Sequence, residues 1–216
     1  MKLAQAVLCL CTVAIGGIQT ASAQVMTFGL SGGVSLADAS VELDGSSLPT
    51  DGRKSFDFGG FVGLQFSPVL AMQLEGHVTG RGFRLTQQAT GLTPGVNAVY
   101  FDIPLHAVFS MPGGGGNLIT PRFFAGPLLA FRMSCTPQDI VMDPTLPNEC
   151  QLDVAKQVDF GVSLGGGVKI GRGAGGLLLE VSYRRGFVNV SKSTTMDANI
   201  KNHNIVLSLG FIVPTI

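Results

Sequence analysis

The stretch KQVDFGVSLGGGVKI (156–170), followed by GRGAG (171–175) and GLLLEVSYRRGFVNV (176–190), decides the fold of this 216-residue chain. In both longer segments, apolar residues alternate with polar or glycine residues. This is the pattern of a strand with one apolar and one polar face. The five residues between them are small and glycine-rich, as in a short turn. The stretch therefore predicts an antiparallel hairpin.

The same pattern recurs along the chain and predicts eight strands. They cover residues 25–36, 55–66, 70–83, 99–110, 119–133, 156–170, 176–190 and 202–213. Short turns alternate with longer polar loops, and the loops cover 37–54, 84–98, 134–155 and 191–201. This alternation predicts an up-and-down arrangement in which an even strand count leaves both chain ends on the short-turn side.

The composition of the chain indicates that the apolar face of the strands contacts lipid and the polar face lines the interior. Only 13% of the residues are charged and the mean hydropathy is +0.39, yet the chain after residue 23 has no run of 18 apolar residues that could form a spanning helix. A closed antiparallel β-barrel satisfies its backbone polar groups internally while turning apolar side chains to lipid. We therefore predict an all-β transmembrane barrel. The alternative is a soluble barrel with its faces reversed, but the polar face has too many glycines and too few lysines for a solvated surface.

The first 23 residues have the features of a cleaved signal peptide. A charged start at Met1-Lys2 precedes an apolar run, 3–18, and the small-residue cleavage site 21–23. We expect a signal peptide over 1–23 and one barrel domain over 24–216, with a membrane-anchoring helix as the alternative. Export to an oxidising compartment favours a disulfide between Cys135 and Cys150, the only cysteines left after cleavage.

Several short motifs, in order and spacing, resemble the porin-like outer-membrane β-barrel domain family. They are FGLSGG (28–33), GGFVGL (59–64), QLE (73–75), YFDIPL (100–105), FAGP (124–127) and LEVSYRRGF (179–187). The resemblance implies a small eight-stranded protein of the bacterial outer membrane, with its N and C termini in the periplasm and no shared catalytic residues. The chain departs from the family pattern in having no Trp and in ending on Ile216 rather than an aromatic residue.

The inward charges predict an ion network in the lumen. Taking Ser67-Pro68-Val69-Leu70 as a tight turn, and requiring inward residues to face inward residues, places Asp57 opposite Arg81, with a register shifted by two residues as the alternative. Centring the loop 84–98 places Asp102 on the other side of Arg81 and His77 beside His106. Arg81 would then bridge two carboxylates near the outer end, because a guanidinium has several donors.

A second ionic layer is expected nearer the short turns. It combines Glu180 with Lys169 on the neighbouring strand, and with Arg122 and Glu75 at similar height. Arg184 completes the inward charges. An unpaired buried charge is costly, so these groups should pair and close the lumen.

The function expected from the sequence is a structural or surface-interaction role for a barrel with a side-chain-filled lumen. The alternatives are a small-solute pore and, third, an outer-membrane enzyme. No Gly-x-Ser-x-Gly elbow is present, and the inward His and Ser residues are interpreted as packing groups, so we expect no enzyme. We expect no cofactor, and two histidines without a third ligand make a poor metal site. The expected partners are outer-membrane lipid, the barrel-assembly machinery during insertion and an extracellular ligand of the long loops, but no nucleic acid.

Overall fold

A computed structural model describes residues 25–43, 46–48, 50–85, 95–111, 118–138, 157–188 and 198–214. Within these ranges every regular element is a β-strand. The strands are β1 (Val25–Leu43), β2 (Ser46–Leu48), β3 (Thr50–Gln65), β4 (Leu70–Leu85), β5 (Gly95–Ser110), β6 (Ile119–Gln138), β7 (Val158–Ile170), β8 (Gly176–Gly186) and β9 (Ala198–Pro214). A search of the described residues finds no helix that is long and apolar enough to cross a membrane.

The strands close into an antiparallel barrel. Each long strand pairs with the next along the chain, and β9 pairs with β1 from Thr27↔Pro214 to Leu43↔Ala198. The three-residue β2 pairs with the far end of β1, where it continues the line of β3. The described residues thus form eight strand positions, as predicted. The signal peptide expected over 1–23 lies outside the described residues, and β1 begins at Val25.

Most strands reach further toward the long loops than the sequence predicted. β1 continues to Leu43 instead of residue 36, β6 continues to Gln138 instead of 133, and β9 begins at Ala198 instead of 202. The alternation marks only the part of a strand that separates an apolar surface from a polar lumen. Beyond that part, polar residues keep pairing because the neighbouring strand still offers backbone partners. β7 and β8 are the exceptions: β7 begins at Val158 instead of residue 156, and β8 ends at Gly186 instead of residue 190.

The faces are those of a lipid-exposed barrel. Phe58 and Leu209 point outward and are 60% and 62% exposed, whereas Asp57 and Asp102 point inward and are 1% and 0% exposed. The soluble barrel with reversed faces is therefore wrong. The apolar outer surface is what a closed sheet presents to the hydrocarbon core of a bilayer.

Two of the predicted registers are wrong, each by an even number of residues. Asp57 lies opposite Thr79 and not Arg81, because the hairpin turn closes on the pair Gln65↔Ala71. Asp102 lies opposite His77, which places Arg81 opposite Ala98. A slip of two or four residues leaves every side chain on its original face, so the alternation does not resist it.

The lumen is filled unevenly around its circumference. On β1 the inward residues are small, with Thr27, Ser31 and Ser35 all buried. The position of Gly33 requires glycine, because a Cβ there would lie 1.9 Å from the carbonyl oxygen of Leu207 on β9. The charged side chains of the lumen therefore come from β3 to β8, where they meet across it, and β9 adds the buried amide of Asn204.

Candidate functional site

Arg184 on β8 lies at the centre of the charged lumen. Its Nη1 donates to Asp57 Oδ2 at 2.7 Å and to Asp102 Oδ2 at 3.1 Å, and also lies 3.1 Å from Thr79 Oγ1. Thr79 Oγ1 in turn donates to Asp57 Oδ2 at 2.6 Å. The guanidinium thus joins β3, β4 and β5 from the opposite side of the barrel. All four side chains are buried.

Arg81 holds the part of the network nearest the long loops. Its Nη2 lies 2.5 Å from Asp102 Oδ2, and its guanidinium carbon lies 4.7 Å from the centroid of the Tyr100 ring. The Tyr100 hydroxyl accepts a hydrogen bond from Asn202 Nδ2 at 3.3 Å. A cation over an aromatic face in a desolvated site adds about 1–2 kcal/mol of attraction. Arg81 therefore contacts one acid of the predicted pair, and Arg184 bridges both.

Glu75 lies between two imidazoles in the middle of the lumen. Its Oε2 is 3.0 Å from His77 Nε2 and its Oε1 is 2.7 Å from His106 Nδ1. The far nitrogen of His77 lies 2.7 Å from Asp57 Oδ1, and that of His106 lies 2.9 Å from Ser163 Oγ. The two histidines are thus bridged by Glu75 rather than placed side by side, because His106 pairs in register with Gln73.

The order Ser163–His106–Glu75 is that of a nucleophile, a base and an orienting acid. Ser163 is 0% exposed and His106 is 2% exposed, and neither lines either of the two cavities described on the barrel. A catalytic serine must meet a substrate carbonyl, whereas both of these side chains are buried in the structure. The arrangement here is a buried hydrogen-bonded chain.

Gln73 and Arg122 connect the middle of the lumen to its turn end. Gln73 donates from Nε2 to Glu75 Oε1 at 2.7 Å and accepts from Arg122 Nη2 at 2.8 Å. Arg122 Nε lies 3.0 Å from Glu180 Oε1. The lower layer expected from the sequence is therefore formed by Arg122 and Glu180, whereas Glu75 belongs to the histidines.

Lys169 is the member of the predicted set that does not join the network. Its Nζ donates to the carbonyl oxygen of Gly173 in the β7–β8 turn, and no described carboxylate lies within 4.0 Å of it. It lines a cavity of about 600 Å³ at the turn end of the barrel, with Arg122 and Gln73 also in its wall.

The ion network predicted from the sequence did not include Thr79, Gln73 or Ser163, whereas His77 and His106 were predicted to lie beside each other. All five side chains point inward, in keeping with their positions on the polar faces of their strands. Among the described residues, no three His, Cys, Asp or Glu side chains are placed to share a metal ion.

Only one of the two cysteines predicted to form a disulfide lies within the described residues. Cys135, near the far end of β6, is disulfide-bonded. Cys150 lies outside the described residues, so the pairing of these two cysteines stays a prediction.

The comparisons with known proteins identify the class. A family model described as an outer membrane protein beta-barrel domain matches residues 19–192. The match covers most of the chain, which therefore belongs to this family and is a protein of the bacterial outer membrane. No match is found among curated proteins.

The chain is also similar to solved structures of bacterial outer membrane proteins. OprG, an outer membrane protein of Pseudomonas aeruginosa, is 11% identical with a TM-score of 0.50, and the match covers 88% of this chain and 97% of that one. Ail, the attachment invasion locus protein of Yersinia pestis, is 12% identical with a TM-score of 0.44, over 87% and 98% of the two chains. The outer membrane protease OmpT of Escherichia coli is 11% identical with a TM-score of 0.39, over 93% and 99%. At this identity, the likeness to OprG shows a common fold and no common function.

Proposed function

We propose that this protein is a closed outer-membrane barrel with a structural or surface-interaction role, and that its lumen does not conduct solutes. One observation carries the proposal. Twelve inward side chains form one connected network from Arg81 to Glu180, anchored on β3 to β8. They are Asp57, Gln73, Glu75, His77, Thr79, Arg81, Asp102, His106, Arg122, Ser163, Glu180 and Arg184.

The energetics of this network favour a closed lumen. An eight-stranded barrel has an interior just wide enough for side chains to fill it. A solute path would have to separate buried ion pairs, and losing one partner of such a pair costs about 3–5 kcal/mol. Since about 1.4 kcal/mol is a factor of ten, even one broken pair keeps an open state rare.

The partners that we propose for the protein depend on which end of the barrel faces the periplasm and which faces the cell exterior. Both ends of the described chain, Val25 in β1 and Pro214 in β9, lie on the side of the short turns. We assign that side to the periplasm and the long connections to the cell exterior, as is usual for bacterial barrels. The long connections would then carry any contact with an extracellular ligand. Membrane lipid surrounds the apolar outer wall, and the barrel-assembly machinery acts during insertion.

Solute release from lipid vesicles tests the closed lumen. Vesicles loaded with a small sugar and carrying the refolded protein should release it no faster than protein-free vesicles. A variant that combines Arg184→Ala, Glu75→Ala and Arg122→Ala removes a central charge from the upper, middle and lower parts of the network. It should release the sugar faster than the wild-type protein. Arg185→Ala is the matched control, because Arg185 is the next residue on β8 and points outward. Rapid release by the wild-type protein would overturn the proposal.

A small-solute pore is the second candidate, and the cavity at the turn end favours it. That cavity shows that part of the lumen is open. It ends at Gln73 and Arg122, so a pore would require the network above them to open. The same release assay decides between the two functions.

An enzymatic role has one observation in its favour, the order Ser163–His106–Glu75. A fluorophosphonate probe tests it. The proposal predicts no labelling of the folded protein. Labelling that is lost in Ser163→Ala and kept in Ser182→Ala, another buried inward serine, would establish an activated nucleophile.

A further inference from the structure

The turn end of the barrel contains a chamber with an excess of positive charge. Its volume is about 600 Å³, and the β3–β4 and β7–β8 turns form its rim. Pro68 and Gly173 on that rim are exposed, so the chamber can be reached from the surrounding solution. The described residues that line it include Arg122 and Lys169 but no Asp or Glu.

The two cations are placed to act on one ligand. Arg122 on β6 pairs with Gly167 on β7, and Thr120 pairs with Lys169. Arg122 and Lys169 are therefore diagonal neighbours on adjacent strands, both on the lumen side. Side chains in this relation are within reach of each other and of a molecule placed between them.

Arg122 is partly neutralised by Glu180, its partner in the lower layer. Its Nε lies 3.0 Å from Glu180, which does not line the chamber, and its Nη2 donates to Gln73. An arginine has five N–H donors in a planar fork. Because Gln73 engages only Nη2, the guanidinium keeps further N–H donors that an anion in the chamber can take.

Lys169 has no such neutralising partner among the described residues. Its ammonium donates to the Gly173 carbonyl, which the turn presents because Gly173 adopts a φ of +63° in the left-handed region. An ammonium has three donors. A partly buried charge without a counterion is costly, and a bound anion would lower that cost.

We infer that this chamber binds a small oxyanion of the phosphate or carboxylate class, held by Lys169 and Arg122. Ser110 and Thr120 in the same wall supply hydroxyl groups that can donate to its remaining oxygens. A free cation is disfavoured by the two positive charges. This binding function goes beyond the closed-barrel proposal, since a binding site at one mouth needs no path through the barrel.

The test is a titration of the refolded barrel in uncharged lipid nanodiscs with inorganic phosphate, followed by calorimetry. We expect saturable binding at one site. Lys169→Gln should weaken it by at least about tenfold, which is about 1.4 kcal/mol. Arg172→Gln is the matched control, because Arg172 lies in the same turn and is exposed but does not line the chamber. It should change the affinity by less than about twofold, whereas loss of a general surface attraction would affect both variants alike.

Backbone amide shifts provide a second readout that needs no substitution. Phosphate should move the signals of residues 171, 173 and 174, and leave those at the far ends of β5 and β6 unchanged. Acetate should bind more weakly than phosphate, because one negative charge cannot satisfy two cations as well.

The inference is overturned if phosphate does not saturate, if Arg172→Gln weakens binding as much as Lys169→Gln, or if the shifts lie outside the chamber. The experiments distinguish failure of this anion site from failure of the proposed closed lumen. A barrel that binds phosphate at this site and also releases solute would refute the closed lumen alone.

Discussion

Replacing Arg184 with alanine should be among the most damaging single changes in the barrel. Its Nη1 donates to Asp57 and Asp102 at 2.7 and 3.1 Å, and it is 3% exposed. Charge-assisted hydrogen bonds contribute about 1.5–3 kcal/mol each. Asp57 keeps His77 and Thr79, and Asp102 keeps Arg81, so neither acid is left without a partner. The expected loss is that of the two charge-assisted hydrogen bonds, so Arg184→Ala should lower the free energy of unfolding by about 3–6 kcal/mol.

Equilibrium unfolding in urea, in lipid vesicles or detergent micelles, measures this change, with the gel mobility of folded and unfolded forms as the readout. Arg185→Ala serves as the matched control and should cost less than about 1 kcal/mol, because Arg185 is exposed. Arg184→Lys should recover only part of the loss, since a single ammonium lacks the planar fork of the guanidinium.

A double-mutant cycle with Asp57→Asn shows whether the loss comes from the ion pair. In the Arg184→Ala background, Asp57→Asn should cost less than in the wild type, with a coupling of about 1–3 kcal/mol. The reasoning is refuted if the two changes add independently, or if Arg184→Ala costs no more than Arg185→Ala.

Two further predictions concern the wall and the loops. Gly33→Ala should destabilise the barrel by more than about 2 kcal/mol, because the added Cβ would lie 1.9 Å from a backbone oxygen of β9. Gly32→Ala should be tolerated, because its Cβ would lie 3.3 Å from a Phe58 side-chain carbon and 3.8 Å from the backbone oxygen of Asp57. Equal unfolding midpoints for the two variants would contradict this. The Cys135–Cys150 bond should contribute about 3 kcal/mol in the chain-entropy model without being needed for the barrel; mass spectrometry that finds both thiols alkylated without reductant would disprove it.

The alternation of residue types was enough to predict which side chains enter the lumen. Asp57, Arg81, Asp102 and Arg184 occupy the inward positions predicted for them because the side-chain period of a strand is two. The chain closure also followed from sequence, since short and long connections alternate and the strand count is even.

The register and the pairing of charges could not be predicted in the same way. Because slips of two or four residues preserve the faces, only the turns fix the register, and the loop 84–98 is not centred as assumed. Long side chains also reach across the lumen, so proximity along neighbouring strands does not identify partners. The contact between His106 on β5 and Ser163 on β7 exists because the barrel curves, and nothing in either segment alone indicates it.

The central claim is that the charged network closes the lumen, and planar-bilayer recordings of the pure refolded protein test it most directly. The structure predicts a baseline with small, rare openings, and more frequent openings in Arg184→Ala than in Arg185→Ala. Large, steady conductance steps from the wild-type protein would contradict the claim.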